Sequence, residues 1–410
     1  MLLELFLIEC KRILKCSTYY VLIICMLLFY ITQIGNFEMI EKPVQGLDDY
    51  GTRYSEDENI IMDETLKTII REFSANSYVT YPIGFYKEVI LNEEKQLKIA
   101  GVLAEVTGLK KDDLISAIDV YYSSDVPTRE ELGLTIKEDM TYEYFKELMD
   151  QANQILGGGS RYRSSILQTN AWVPMTYEDA MREYNSIVYN DHLSGAFARL
   201  FSDYMGIILT ILPVFLAVTR GLRDKRARAN QVIYSRAASS FNIIISRYLS
   251  MLVMIMVPVL LMGGWMTLQC VYNGSGEGIF VDVFAFAKYT FGWLLPGIMI
   301  STSVGVFLTE LTETAIGILV MGVWWFASIF MGIVTLRGGY SLNLIPRHNT
   351  LGNYQIYQEN FNILALNRGI YTLAAIILTV AAVYIYSMKR KGKLIIHGKI
   401  SSNRKSKSKA

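Results

Sequence analysis

The chain has 410 residues, 52% hydrophobic and only 19% charged, with a mean hydropathy of +0.28 and a formal net charge of +1. Soluble domains carry roughly 25% charged residues, so the composition excludes an ordinary soluble protein and points to a membrane one. The near-zero net charge is an average over segments of strongly opposite sign.

Residues 1–16 read MLLELFLIECKRILKC. Leu3, Phe6, Cys10, Ile13 and Leu14 form an apolar stripe at helical spacing, with Glu9, Lys11, Arg12 and Lys15 on the other faces. That pattern predicts an amphipathic helix lying in the membrane interface. Residues 16–37 carry no charge, and the run is too long for the apolar core of a secretory leader. It reads as a first transmembrane helix, spanning 17–35.

Residues 36–195 form a block with 15 basic and 29 acidic residues, so the rest of the chain is strongly basic. Its periodicity is helical. Met62, Leu66, Ile69, Ile70 and Phe73 recur at three and four, as do Tyr142, Phe145, Leu148, Met149, Ala152 and Ile155 behind a capping Thr141. GGGSRYRSS (157–165) reads as a flexible connection. Thr176, with Asp179 three residues on, opens a capping-box-like start. No proline follows until Pro213, which predicts one helix, or two nearly collinear ones, running into the second span. The four cysteines, Cys10, Cys16, Cys25 and Cys270, all lie in or beside apolar stretches. An exported block without disulfides must fold on its own core, as suits a bacterium that makes few extracellular disulfides.

Five further apolar stretches follow: 204–219, extended back to about Gly195, then 248–276, 289–309, 314–336 and 369–388. A bilayer needs about 20 residues at 1.5 Å each, so six spans are expected. RGLRDKRAR (220–228) stands directly behind the second. Lys and Arg number three before the first span, seven in 220–247 and nine in the tail 389–410. Those nineteen face three, Arg337, Arg347 and Arg368, in the short loops 273–287 and 337–368. By the positive-inside rule the nineteen are cytoplasmic, both termini included, and the acidic block is extracellular. RGLRDKRAR is therefore first a topology signal, not a nucleic-acid patch. The segment 337–368 is too apolar for a solvated loop and is expected to dip back toward the outer interface. The Ser-rich basic tail suits anionic lipid.

Chemistry-bearing motifs are missing. There is no G-x-x-x-x-G-K-[ST] phosphate loop, no H-E-x-x-H and no G-x-S-x-G. His192, His348 and His397 are too dispersed for a metal cluster. Arg199 and Asp203, four apart, are expected to pair on one helix face. With Lys288 they are candidates for a polar outer vestibule, or else snorkel at the interface. Glu310 and Glu313 mark a short inner turn. No run of carboxylates crosses the apolar stretches, which argues against proton or ion coupling. A chain with spans and an exterior domain but no catalytic motif needs an energy source or a signalling partner elsewhere.

The layout resembles the permease subunit of bacterial ATP-binding-cassette (ABC) exporters of the type-2 class. The resemblance is carried by ELFLIECKRILK (4–15), RGLRDKRARANQVIYSRAASSFNIIISRYLS (220–250) and LIPRHNTLGNYQ (344–355), in order over nearly the full length. The 160-residue block between the first two spans is similar to the subset with a large exterior domain. The resemblance implies an all-α membrane protein: an interfacial elbow helix (1–16), transmembrane helix 1 (17–35), an extracellular domain (36–195), then helices 2–6 (196–388). It implies a cytoplasmic coupling segment (220–247), a re-entrant exterior segment (337–368) and a basic cytoplasmic tail (389–410). In that frame Arg223, Asp224, Lys225 and Arg226 are the contact candidates for a cytoplasmic ABC ATPase. ATP and Mg would be held by that partner and no cofactor by this chain. A second permease subunit, identical or homologous, and membrane lipids are the other implied partners, in a bacterial cell membrane. The cargo implied is lipophilic or amphiphilic: an antimicrobial peptide, a drug or a lipid-linked molecule. The alternative is a non-transporting membrane scaffold or sensor whose extracellular domain binds a ligand.

Overall fold

The computed structural model describes residues 1–35, 40–82, 86–123, 133–227, 233–234, 238–276, 278–333 and 340–393. Within these the protein is mostly helical, and it divides into two compact units: Met1–Met39 with Ser186–Ala410, and Ile40–Asn185.

The chain opens with α1 (Leu2–Ile13) and α2 (Ser17–Gln33), bent by 71° at the break between them. α1 packs along a later long helix. Its burial departs from the apolar stripe. Ile13 is buried as expected, but Leu3 and Leu14 are exposed and Glu9 is buried. A carboxylate tolerates this only because arginines surround it, as described below.

The unit Ile40–Asn185 lies inside the acidic block. It holds β1 (Thr52–Tyr54), α3 (Glu58–Ala75), β2 (Tyr78–Thr80), β3 (Lys87–Val89), α4 (Glu93–Thr107), α5 (Lys111–Ser123), α6 (Tyr142–Ile155), β4 (Trp172–Pro174) and α7 (Tyr177–Asn185). β1 pairs antiparallel with β4, and β2 with β3. Four of the helix starts have a local cause. Asp57, Asn92 and Thr141 accept backbone N–H bonds at the starts of α3, α4 and α6, satisfying donors that a helix leaves orphaned. The Thr176 hydroxyl accepts from the Asp179 N–H, and the Asp179 carboxylate accepts from the Thr176 N–H. That reciprocal pair is the capping box read from the sequence. The apolar faces of α3, α4 and α6 meet in one core, with Leu66, Ile69, Ile99, Leu103 and Phe145 fully enclosed. Each such side chain contributes roughly 1.5–3 kcal/mol, and no disulfide is among them.

GGGSRYRSS is an ordered turn rather than a flexible link. Gly157, Gly158 and Gly159 all have positive φ, a conformation open to glycine. A Cβ on Gly159 would stand 2.5 Å from the Pro82 backbone. Ser160 and Tyr162 are buried behind it, and the Tyr162 hydroxyl donates to Glu72 at 2.6 Å. Burial raises the Glu72 pKa, against the opposing effect of that hydrogen bond.

The stretch from Thr176 to Pro213, expected as one helix or two nearly collinear ones, is not one continuous helix. His192 and Leu193 have positive φ, and α8 (Ser194–Leu209) starts only after them. α9 (Leu212–Arg226) follows a two-residue interruption, where Pro213 supplies no backbone N–H for the preceding turn. Then come α10 (Ser240–Gly276), α11 (Ala285–Tyr289), a π-turn at Thr290–Leu294 and α12 (Leu295–Thr312). α13 (Ile316–Ile333), the short α14 (Tyr354–Glu359) and α15 (Phe361–Arg390) complete the unit.

Four runs among the described residues are long and apolar enough to cross a membrane: Ser194–Asp224, Ser240–Gly276, Ala285–Thr312 and Phe361–Arg390. The bent pair α1–α2 makes a fifth if taken as one span. The span expected over 314–336 appears as α13, whose apolar stretch Ile316–Phe330 is shorter than the others. Among the described residues the count by length and composition is thus four to five. α12 lies at the centre, packed on α9, α13 and α15. Its approach to the α8–α9 run depends on small residues: a Cβ on Gly305 would stand 2.7 Å from the Ala217 Cβ of α9, and one on Gly297 would stand 2.8 Å from the methyl of Thr210, at the end of α8. Small residues at such contacts let helix backbones come close.

Candidate functional site: two buried ionic clusters

The long helices carry charges at both ends. One end has the starts of α8 and α15 and the loop 340–353, and is called the loop end. The other has α1, the ends of α9, α12 and α15 and the start of α10, and is called the α1 end.

At the α1 end, Glu9 of α1 is 5% exposed. It accepts from Arg12 on its own helix at 2.6 Å and from Arg220 of α9, with Arg247 of α10 at 4.0 Å. Arg247 in turn pairs with Asp224 of α9. Lys389 of α15 reaches Glu310 at 3.7 Å and Glu313 at 3.2 Å, at the end of α12. Glu313 sits in the left-handed region, φ 54°, as the C-cap of α12. Arg390 donates to the carbonyl oxygens of Tyr234, at 2.8 Å, and of Ala238. A small cavity lies among Asp224, Tyr234, Arg247, Glu310, Tyr386 and Lys389. One polar layer therefore ties α1, α9, α10, α12 and α15 together just where RGLRDKRAR begins. Of its contact candidates, Arg223 and Arg226 are exposed and Asp224 is engaged in the Arg247 pair. The Lys225 side chain, Arg228, Arg236 and the tail beyond Lys393, with His397, lie outside the described residues.

At the loop end, the expected Arg199–Asp203 pair does not form. Both side chains are fully enclosed, and each bonds elsewhere. Arg199 pairs with Asp191 at 2.7 Å and donates to the carbonyl oxygens of Leu351, at 2.7 Å, and Gly352, at 3.2 Å. Its guanidinium lies over the Tyr357 ring. Asp203 accepts from the Arg347 side chain at 3.0 Å and from the backbone N–H groups of His348, at 2.7 Å, and Asn349, at 3.2 Å. Better partners from a distant loop displace a weak pair on the same helix, which is worth only about 0.2–0.5 kcal/mol. Arg368, on α15, is buried with no carboxylate beside it among the described residues. It donates to the carbonyl oxygens of Trp293, Asn343 and Leu344 and to the Asn367 side chain. Asn367 donates to the Ser341 and Asn343 carbonyls, and Tyr371 to that of Leu342. Lys288 stands apart, largely exposed, in a pair with Asp282 at 2.6 Å.

Sequence reading missed Glu9, Arg247, Glu310 with Lys389, Asp191, Arg347 and Arg368 as members of these clusters. The available signal was charge at the edge of an apolar run, which is costly unless partnered. The partners themselves are remote in sequence. Among the described residues no group of His, Cys, Asp and Glu is arranged to hold a metal ion. In the unit Ile40–Asn185, an open groove of about 520 Å³ runs between α4 and α6, lined by Lys98, Val102, Glu105, Tyr144, Leu148 and Gln151 among others.

Long apolar helices joined at each end by enclosed ion pairs, with an inserted helical unit, define a multi-pass membrane protein. The model of the ABC-2 family transporter proteins matches residues 11–386, and the chain belongs to that family. Neither a curated protein nor a solved structure matches it. Membership makes the chain a membrane component of a transporter, in a family that is not itself catalytic and works with an ABC ATPase.

Proposed function

We propose that the protein is the permease subunit of an ABC exporter for a lipophilic or amphiphilic cargo, such as an antimicrobial peptide, a drug or a lipid-linked molecule. It works as one of two permease subunits on two cytoplasmic ATPases, which hold ATP and Mg. In this reading the α1 end is cytoplasmic, the loop end is extracellular, and six spans cross the membrane. The supporting observation is the polar layer at the α1 end. It links the start of RGLRDKRAR through Arg220 and Asp224 to α1 and α10, and Lys389 joins α15 to the end of α12. A push on residues 220–240 would thus reach several long helices through enclosed ion pairs. Arg223 and Arg226, exposed beside that layer, present the docking charge.

The test is the double variant Arg223→Glu/Arg226→Glu. Like charges facing each other across an interface cost several kcal/mol, and each 1.4 kcal/mol is tenfold in affinity. The variant should insert normally yet lose the ATPase in pull-downs from detergent extract at matched membrane levels. Undiminished retention would leave the two arginines as topology signals only. The alternative, a sensor or scaffold, draws on the α4–α6 groove as a ligand site. A full-length preparation that recovers no ATPase from its native membrane would favour it.

A further inference from the structure

We propose that Arg199 and Asp203 form a two-point clamp that holds the loop 347–352 shut over the loop end, and that the helical run α8–α9 carries its release from the α1 end. As a statement about export, this rests on the transport reading. As a statement about the loop, it stands on geometry alone.

The two residues are one turn apart on α8 and grip the loop with opposite chemistry. Asp203 accepts the N–H groups of residues 348 and 349, whereas Arg199 donates to the C=O groups of residues 351 and 352. Each is anchored by a counter-ion, Arg347 for Asp203 and Asp191 for Arg199. Arg199, Asp203, Asp191, His348 and Gly352 are buried, which shields their bonds from competing water, whereas Arg347 is partly exposed and Asn349 is exposed. The loop has no regular structure to hold itself, and Asn349 and Asn353 both have positive φ. Within it, the His348 ring sits between the Tyr340 hydroxyl at 3.3 Å and the Gly352 carbonyl at 3.1 Å.

Because both grips sit on one helical turn, a small rotation or slide of α8 loosens both together. Arg368 and Asn367 hold residues 341–344 from a different helix, α15, so those residues stay seated as a hinge and the loop swings from Ile345 onward. The other end of the α8–α9 run carries Arg220 and Asp224, tied to Glu9 and Arg247. From Arg199 to Arg220 is about 32 Å along a helix at 1.5 Å per residue. The run thus has a lock at the loop end and a lever at the α1 end, two discrete contacts that one motion changes together.

The test uses the full chain in lipid nanodiscs, with the four native cysteines replaced by alanine and one reporter at a time. Ile345→Cys reports on the loop, because Ile345 is 1% exposed. Thr309→Cys, 3% exposed, reports on the α1 end. The probe is a water-soluble maleimide. With the clamp intact neither reporter should label quickly. Asp203→Asn should raise the labelling rate of Ile345→Cys at least about tenfold, equivalent to about 1.4 kcal/mol of holding free energy, and raise that of Thr309→Cys far less. Arg347→Gln, which leaves both backbone bonds to Asp203, should give a smaller rise, and it serves if the Asn variant folds poorly. Arg199→Lys should be milder than Arg199→Gln. Equal acceleration at both reporters would mean that the residues merely stabilise the fold. No acceleration at Ile345→Cys would mean that the loop is held without them. Either result overturns the clamp. The assay needs neither cargo nor ATPase, so it can fail while the transport reading stands.

Discussion

Glu9 sits where a carboxylate is hardest to place, on the inner face of a helix beside the apolar spans. Its enclosure is tolerable because Arg12, Arg220 and Arg247 surround it. Removing one member of an enclosed ion pair typically costs about 3–5 kcal/mol, since the other charge is left without a partner. Glu9→Ala should therefore lower the melting temperature of the purified chain well beyond the effect of Glu4→Ala, whose side chain is 79% exposed. Similar melts for the two variants would show that the network carries no stability. His348 offers a pH test. Burial, and then the charge of Arg199, lower its pKa to about 4 from the ordinary 6.5. The unfolded chain then binds a proton between pH 6.5 and 4 that the folded one does not. The stability from neutral His348 is complete above pH 6.5 and is lost as pH falls through that window. Melts from pH 7.5 to 4.5 should show a smaller acid destabilisation for His348→Gln than for the parent, and parallel curves would count against the assignment.

Elements meet in this protein by two different devices. In the unit Ile40–Asn185, capped amphipathic helices bury aliphatic faces, as in a soluble domain. Thr141→Ala removes the cap of α6 and should cost about 1 kcal/mol, read by chemical denaturation followed through the helical signal. Among the spans, close approach is set by missing side chains. Gly305→Val would press a β-branched side chain onto Ala217 and Val214, both already within 3.4 Å of a single added Cβ. Overpacking of this kind costs about 1–3 kcal/mol. The variant should express at lower level and melt earlier, whereas Gly322→Val, with open space around it, should be near neutral.

At the scale of the molecule, the charge asymmetry makes a topology prediction. Nineteen basic residues lie in the short segments of one side, and three in the loops 273–287 and 337–368 of the other. In a cysteine-free background, Glu143→Cys in the acidic block should react with an impermeant maleimide on intact cells, and Lys393→Cys should not. Both positions are exposed in the structure, so the difference would report sidedness rather than burial. Ser160 would be a poor reporter, because the structure buries it. Equal labelling of the two positions would sink the expected orientation.

Some of this was legible in the order of the residues alone. The apolar runs, the capping of α6 by Thr141, the Thr176–Asp179 box and the helical faces of α3 and α6 depend on neighbours within four positions, and local pattern reports those. The break at His192–Leu193, the ordered glycine turn and the inward-facing Glu9 were not legible, because each is decided by what lies opposite in space. The same holds for the charges. Sequence placed Arg199 and Asp203 at the edge of an apolar run and paired them with each other, as spacing suggests. The fold gave them instead to Asp191 and to a loop some 150 positions away, because an enclosed charge takes the strongest set of hydrogen bonds within reach. Local chemistry settled which segments are helices and which are apolar; only tertiary packing decided which charges meet.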